Sequence, residues 1–237
     1  MIERILPSRV VVEEAFSDPP EVALFPAEEE LIRNSVEVRR REFGTVRHCA
    51  RRALGALGVA PAPILKGERG APLWPAGTVG SMTHCAGYRA AAVARRADVL
   101  TIGMDAEPHA ALPEDVLETI GLVTERQRDR ELRGAHPGVC WDRLLFSAKE
   151  SVYKAWFPLT RRWLGFEQAD IVLRPDGTFL AELLVSEAES AIRADALPET
   201  AAAGPAGTAA VPRELRGRWL VADGLLATAI VIENGTL

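Results

Sequence analysis

Asp105 and Glu107 stand two residues apart in Gly103-Met104-Asp105-Ala106-Glu107. On an extended strand that spacing sends both carboxylates from one face, roughly 7 Å apart at the backbone, with room for one cation between them. Two ionised carboxylates this close repel unless a metal or a proton resolves the conflict, although a merely solvated strand face carries the same pattern. A third acid lies in Lys149-Glu150-Ser151-Val152-Tyr153-Lys154, where Glu150 and Lys154 are an i, i+4 pair. Such a pair on a helix surface is worth a few tenths of a kcal/mol. Here Leu144-Leu145-Phe146 precedes it and Ala155-Trp156-Phe157 follows, so the sequence predicts a partly buried, functional pair. Gly80-Ser81-Met82-Thr83-His84-Cys85 adds two hydroxyls and a histidine. These could hydrogen-bond a phosphate, or the histidine could simply cap a strand. Three carboxylates suit a hard cation such as Mg²⁺ completed by phosphate oxygens and water, and arginines with Lys66 offer charge for further phosphates. The ligand implied is small, phosphorylated and polyanionic.

These groups need elements to place them. Pro26 with Glu28, Glu29 and Glu30 reads as a helix start, the acids favouring the positive end of the helix dipole. From 35 to 57, Phe43, Val46, Ala50, Leu54 and Leu57 recur at three- and four-residue steps, and Gly58 and Pro61 stop the helix. Arg40, Arg47 and Arg51 fall along one edge of that stripe, either as snorkelling side chains or as ligands. Residues 61–80 read as a Pro/Gly-punctuated loop carrying Lys66, Arg69 and Trp74. Two strands follow, Tyr88 to Arg95 and Val99 to Glu107, joined by a turn near Ala97-Asp98. In the second, Leu100, Ile102, Met104 and Ala106 alternate with Thr101, Gly103, Asp105 and Glu107. A helical stretch beyond 110 leads to an amphipathic helix over Trp141–Phe157, closed by Pro158. Hairpins are predicted around Pro175-Asp176-Gly177 and Asp223-Gly224, with an Ala/Glu/Gly/Pro-rich mobile insertion over 185–213 between them.

A chain of 237 residues, 48% hydrophobic and 26% charged, makes one large or two small globular domains. With 28 Lys and Arg against 33 Asp and Glu, the net charge of -5 gives no overall nucleic-acid signature. The first residues do not read as a secretory signal, and no apolar run is long enough to span a membrane. Cys49, Cys85 and Cys140 are odd in number and widely spaced, which points to a reducing, cytoplasmic setting. The pairs His48-Cys49 and His84-Cys85 lack the spacing of a short-range zinc site.

In these motifs the sequence resembles the two-repeat 4'-phosphopantetheinyl transferases, the type that activates surfactin and enterobactin synthetases. Gly103-Met104-Asp105-Ala106-Glu107 matches the family's Gly-x-Asp-x-Glu, and Phe146 to Lys154 its Trp/Phe-x-x-Lys-Glu-x-x-x-Lys. Ser81 to His84 matches its Ser/Thr-His segment. Ile64-Leu65-Lys66-Gly67, Trp74 and Trp163-Leu164-Gly165-Phe166 look like the actinobacterial branch. The resemblance implies an α+β fold of two similar halves, 1–108 and 109–237, related by a pseudo-twofold with coenzyme A in the cleft between them. It also implies a soluble, Mg²⁺-dependent enzyme that transfers the 4'-phosphopantetheine group to a serine of fatty-acid, polyketide or nonribosomal-peptide carrier proteins, releasing adenosine 3',5'-bisphosphate. By that resemblance Asp105, Glu107 and Glu150 hold Mg²⁺, Glu150 is the base, and Lys154 contacts the phosphates. Thr83 and His84 with Arg39 and Arg47 grip the 3'-phosphate end, and Lys66 with its loop lines the nucleotide. Gly70-Ala71-Pro72 stands where many members have Gly-Lys-Pro, leaving that lysine's contact absent or supplied by Lys66 or Arg69. Phe146 replaces the usual tryptophan, which alters packing more than chemistry.

The partners expected are apo carrier proteins and coenzyme A, with no nucleic acid and no membrane, and the state expected is a monomer. Arg161-Arg162 beside Trp163 is either a carrier-docking patch or a solvated charge pair. Two other readings fit the same acids. A metal-dependent nuclease needs a basic face that the net charge disfavours, and a non-catalytic coenzyme A or nucleotide module would not need three acids.

Overall fold

The computed structural model describes residues 1–113, 115–197 and 209–235. In chain order its elements are β1 (Val11–Ala15), α1 (Pro26–Ile32), α2 (Glu37–Ala56), β2 (Thr78–Cys85), β3 (Tyr88–Arg95), β4 (Val99–Pro108), α3 (Val116–Ile120), α4 (Val123–Ala135), α5 (Trp141–Thr160), β5 (Ala169–Leu173), β6 (Thr178–Leu183), α6 (Glu187–Ser190), β7 (Glu214–Ala222) and β8 (Leu225–Glu233). The fold is α+β. One antiparallel sheet of three strands runs β1-β3-β2, and one of five runs β4-β8-β7-β6-β5.

The alanines of β3 let it be buried on both faces. Ala91 and Val93 pack toward α2 with Cys49, Ala50, Ala53 and Leu54. Ala90, Ala92 and Ala94 enter a second core with Ile102, Met104 and Ala106 of β4 and Ala227 and Ala229 of β8. The third and largest core lies between α5 and the five-stranded sheet, around Trp141, Leu144, Val152, Trp156, Phe179 and Ile230. Among the described residues no helix is long and apolar enough to cross a membrane.

Several expectations are corrected. β1 forms where no element is predicted, and β2 starts at Thr78, inside the stretch read as a loop. β3 and β4 follow one another through a short turn yet lie in different sheets. β4 pairs along its length with β8, so a division at 108 cuts the five-stranded sheet. A register shift between Val99 and Thr101 breaks the alternation at its start. Val99, not Leu100, therefore joins Ile102, Met104 and Ala106, while Leu100 turns into the α5 core. Pro158 does not close α5, which runs on to Thr160 and ends at Arg161 with a left-handed φ of 56°. Both predicted hairpins form. Of the insertion expected over 185–213, residues 198–208 lie outside the described residues. Its flanks are built in: Ile192, Ala196 and Val211 are buried in the α5 core, and Ile192 N–H donates to the Ala209 carbonyl at 2.7 Å.

Candidate active site

The meeting of β4 with α5 depends on one missing side chain. A Cβ on Gly103 would stand 2.0 Å from the Ser151 carbonyl oxygen and 2.6 Å from Ala155 N, so only glycine lets strand and helix lie this close. Thr101 adds a bond from its hydroxyl to the Ala155 carbonyl at 3.1 Å. Two residues beyond Gly103, on the same strand face, Asp105 meets α5. Its Oδ1 accepts from Lys154 Nζ at 2.7 Å and from the Thr83 hydroxyl at 3.1 Å. Its Oδ2 is buried and has no hydrogen-bond partner.

The i, i+4 pairing of Lys154 with Glu150 gives way to this tertiary pair. Asp105 is only 5% exposed, and a buried carboxylate has more to gain from a counter-ion than a helix-surface one. Glu150, half-buried, has its carboxyl pushed up first by burial and then by Asp105, with Lys154 pulling it down. Glu107 is likewise pushed up by burial and by Asp105, against the pull of Arg143, whose Nη1 donates to Glu107 Oε2 at 3.1 Å.

The three acids expected to share one cation therefore converge only in part. Among the described residues no group of three or more His, Cys, Asp or Glu side chains is placed to hold a metal ion. Two basic side chains, Lys154 and Arg143, offset the acids instead. The chemistry of the set still suits a hard cation: all donors are oxygens, two carboxyls sit above their usual range, and Asp105 keeps one buried oxygen open.

The Thr83 hydroxyl, expected at a phosphate, bonds to the protein in this structure. It donates to Asp105 and accepts from Ala106 N–H at 3.1 Å, while Ser81 Oγ accepts from Met104 N–H at 3.2 Å. These two hydroxyls stitch the edge of β2 to the edge of β4 in place of a backbone ladder. Thus β2, which carries no apolar alternation, is nevertheless the strand that joins the two sheets.

A cationic cluster forms on the α2 side. Arg39 Nη1 contacts His84 Nε2, and Glu42 lies 3.5 Å from Arg39 and 3.6 Å from His84. Burial and Arg39 both hold the imidazole below its usual value, which favours its neutral form. The Arg47 guanidinium carbon lies over the Phe43 ring, 3.3 Å from its centroid, and Lys66 Nζ stands 5.4 Å from the same centroid. Partial desolvation, then Arg39 and Arg47, push the Lys66 ammonium down.

Two cavities open beside these groups. One of about 430 Å³ runs between the Arg69–Trp74 segment and β2 on one side and α5 on the other, reaching Glu150, Tyr153 and Lys154. A second, of about 180 Å³, is walled by Tyr153, Trp163, Leu164 and Phe166, with Lys149 and Glu150. Glu150 and Tyr153 line both. Arg69, in the left-handed region at φ 51°, reaches over the Trp163 ring at 5.3 Å, bridging the first loop and the segment after α5.

Sequence reasoning did not assign Lys149, Arg143 or Glu28. Lys149 is 3% exposed and donates to the carbonyls of Phe166 and Ala169 at 2.7 and 2.8 Å, with Glu125 Oε2 at 2.9 Å. Its position in the Lys-Glu motif marked it, but its partners lie far along the chain. Arg143 pairs with Glu107, 36 residues earlier in the chain, which no local pattern marks. Glu28, read as a helix-dipole acid, is 0% exposed, whereas its neighbours Glu29 and Glu30 face solvent.

Residues 27–94 match the 4'-phosphopantetheinyl transferase N-terminal domain, and residues 101–208 match the 4'-phosphopantetheinyl transferase superfamily. The chain is 49% identical to 4'-phosphopantetheinyl transferase PptT of Mycobacterium tuberculosis, over 98% of each chain. It is 48% identical to 4'-phosphopantetheinyl transferase Svp of Streptomyces mobaraensis, over 98% of this chain and 89% of that one. It is also 49% identical to 4'-phosphopantetheinyl transferase Npt of Nocardia iowensis, over 97% and 99%.

Proposed function

The chain belongs to the 4'-phosphopantetheinyl transferase superfamily and is an enzyme of that type, and from that premise we propose that it moves the 4'-phosphopantetheine group of coenzyme A onto a serine of an acyl or peptidyl carrier protein. The observation that supports this most is the meeting of two cavities at Glu150, beside the Lys154–Asp105 pair. In this reading the larger cavity and the Arg39, Arg47, Lys66 and His84 cluster receive the nucleotide and its 3'-phosphate. The smaller cavity, narrow and aromatic-walled, takes the pantetheine arm.

A serine hydroxyl needs a base within hydrogen-bond reach to act as a nucleophile near neutral pH. Glu150 takes that proton, and its raised carboxyl makes it a stronger base than an exposed glutamate. The serine oxygen bonds to the β-phosphorus as the bond from that phosphorus to the bridging oxygen breaks, and adenosine 3',5'-bisphosphate leaves with the bonding pair. Lys154, held by Asp105, offsets charge on the departing phosphate. Mg²⁺ belongs to this reading: Asp105 through its open Oδ2, with Glu150 and Glu107, would hold it, and when bound it supplies charge stabilisation at the pyrophosphate.

Incubation with coenzyme A, Mg²⁺ and a panel of apo carrier proteins, followed by intact-mass measurement of each carrier, tests the reading. A gain of one phosphopantetheine on the carrier serine is expected. Coenzyme A binding without carrier modification, or cleavage of added nucleic acid instead, would overturn it.

A further inference from the structure

Glu28 takes no part in the chemistry above, yet no atom of its side chain region reaches solvent (0% exposed). Its Oε1 accepts from Ile64 N–H at 2.8 Å and from Arg51 Nη1 at 2.8 Å. Its Oε2 accepts from the same Arg51 nitrogen at 2.9 Å and from Phe25 N–H at 3.1 Å. The other side of the Ile64 residue is held too, since its carbonyl accepts from Arg47 Nε at 2.9 Å. Ile64 is thus fixed through both its N–H and its carbonyl, two residues before Lys66. A buried acid with a counter-ion and satisfied lone pairs is costly to assemble for stability alone, and is better suited to fixing one geometry.

What that geometry fixes is a cluster in which cations outnumber anions, with Glu28 Oε1 3.8 Å from Arg47 Nε and Glu42 3.5 Å from Arg39. The Nε of Arg47 is committed to Ile64, while its terminal nitrogens make no hydrogen bond to the described residues. Lys66 makes no hydrogen bond or ion pair to them either. Both flank the Phe43 ring, with Arg39 and His84 nearby. Like charges gathered in this way favour a compact dianion such as a phosphate monoester.

We infer that Glu28 is a positioning residue for phosphate recognition: its buried carboxylate fixes Ile64 and so places Arg47 and Lys66 to receive the 3'-phosphate of coenzyme A. Burial holds the Arg47 guanidinium down to about 10 while Glu28 opposes that fall, so loss of the Glu28 charge also weakens the hold on a charged Arg47. This inference rests on the coenzyme A reading of the site.

The test is equilibrium titration, without carrier, of coenzyme A and of 3'-dephospho-coenzyme A into the wild type, E28Q and E28D, with thermal unfolding run alongside. The wild type is expected to prefer coenzyme A by roughly tenfold or more, as charge-assisted bonds to one phosphate allow. E28Q should lose most of that preference by weakening coenzyme A, with 3'-dephospho-coenzyme A shifted less than about twofold, and E28D should restore part of it. If E28Q does not fold, E28D is read in the same titrations and the same outcomes decide. A variant that keeps the wild-type preference, or weakens both ligands equally, overturns the positioning role. A wild type with no preference between the two ligands defeats the phosphate-site reading itself, a result distinct from failure of Glu28 alone.

Discussion

The two long helices, α2 and α5, are each 20 residues long, and beside each a buried ion grips the backbone of a loop next to the site. On the α2 side the open groups are cations, Arg39, Arg47 and Lys66, and the anchor is the acid Glu28. On the α5 side the acids Glu150, Asp105 and Glu107 stand beside Lys154 and Arg143, and the anchor is the base Lys149. Neither anchor faces the larger cavity. Each grips loop backbone: Glu28 holds Ile64 N–H before Lys66, and Lys149 holds the carbonyls of Phe166 and Ala169 at the wall of the smaller cavity. The difference lies in how the helix meets its sheet. α2 packs on the small side chains of β3, while α5 lies against bare backbone at Gly103, where the strand carboxylate of Asp105 reaches the helix lysine Lys154. The charge a site shows and the charge that holds it in place are separate features of the sequence.

Lys149→Met breaks the comparison most severely. It leaves Glu125, 2% exposed, without its cation, and a loss of about 3–5 kcal/mol is expected in denaturant unfolding. A loss below 1 kcal/mol would show that the α5 anchor is not equivalent to Glu28.

Gly103→Ala comes next. The added methyl meets the Ser151 carbonyl and must part β4 from α5, at a cost of about 1–3 kcal/mol. Because Asp105 moves away from Lys154 with the strand, turnover should fall by roughly 100-fold, read at saturating coenzyme A. Full turnover in this variant would mean that the close approach does not position the site.

Thr83→Val should have the smallest effect. It strips the acceptor from Ala106 N–H, costing about 1 kcal/mol in thermal or denaturant unfolding, and shifts coenzyme A affinity by less than about threefold. A tenfold loss of affinity would return Thr83 to the phosphate-binding set and blur the line between the two regions.

The long helices, β4 and both hairpins were legible because their apolar residues repeat with the right period or flank an obvious turn. β2 was not, because Gly-Ser-Met-Thr-His has no such repeat; its hydroxyls bond to β4 backbone, an arrangement that appears only once both strands are placed. The acids at 105, 107 and 150 were visible as a set, but their counter-ions were misassigned. Local spacing proposed Glu150 for Lys154, and tertiary contact supplied Asp105. Glu107 found Arg143, and Lys149 found Glu125, 24 residues earlier in the chain. Sequence distance hides such pairs, since nothing in either local pattern requires the other. Glu28 was hidden differently: an acid in a first helical turn reads as a dipole partner whether it faces water or Arg51.

The most direct test of the catalytic account is single-turnover transfer to an apo carrier by Glu150→Gln at saturating coenzyme A and Mg²⁺, followed by carrier mass. With Glu150 as the base, the rate should fall by about 10²–10⁴-fold while the coenzyme A dissociation constant stays within about threefold of wild type. Carrier modification by this variant at the wild-type rate would contradict it.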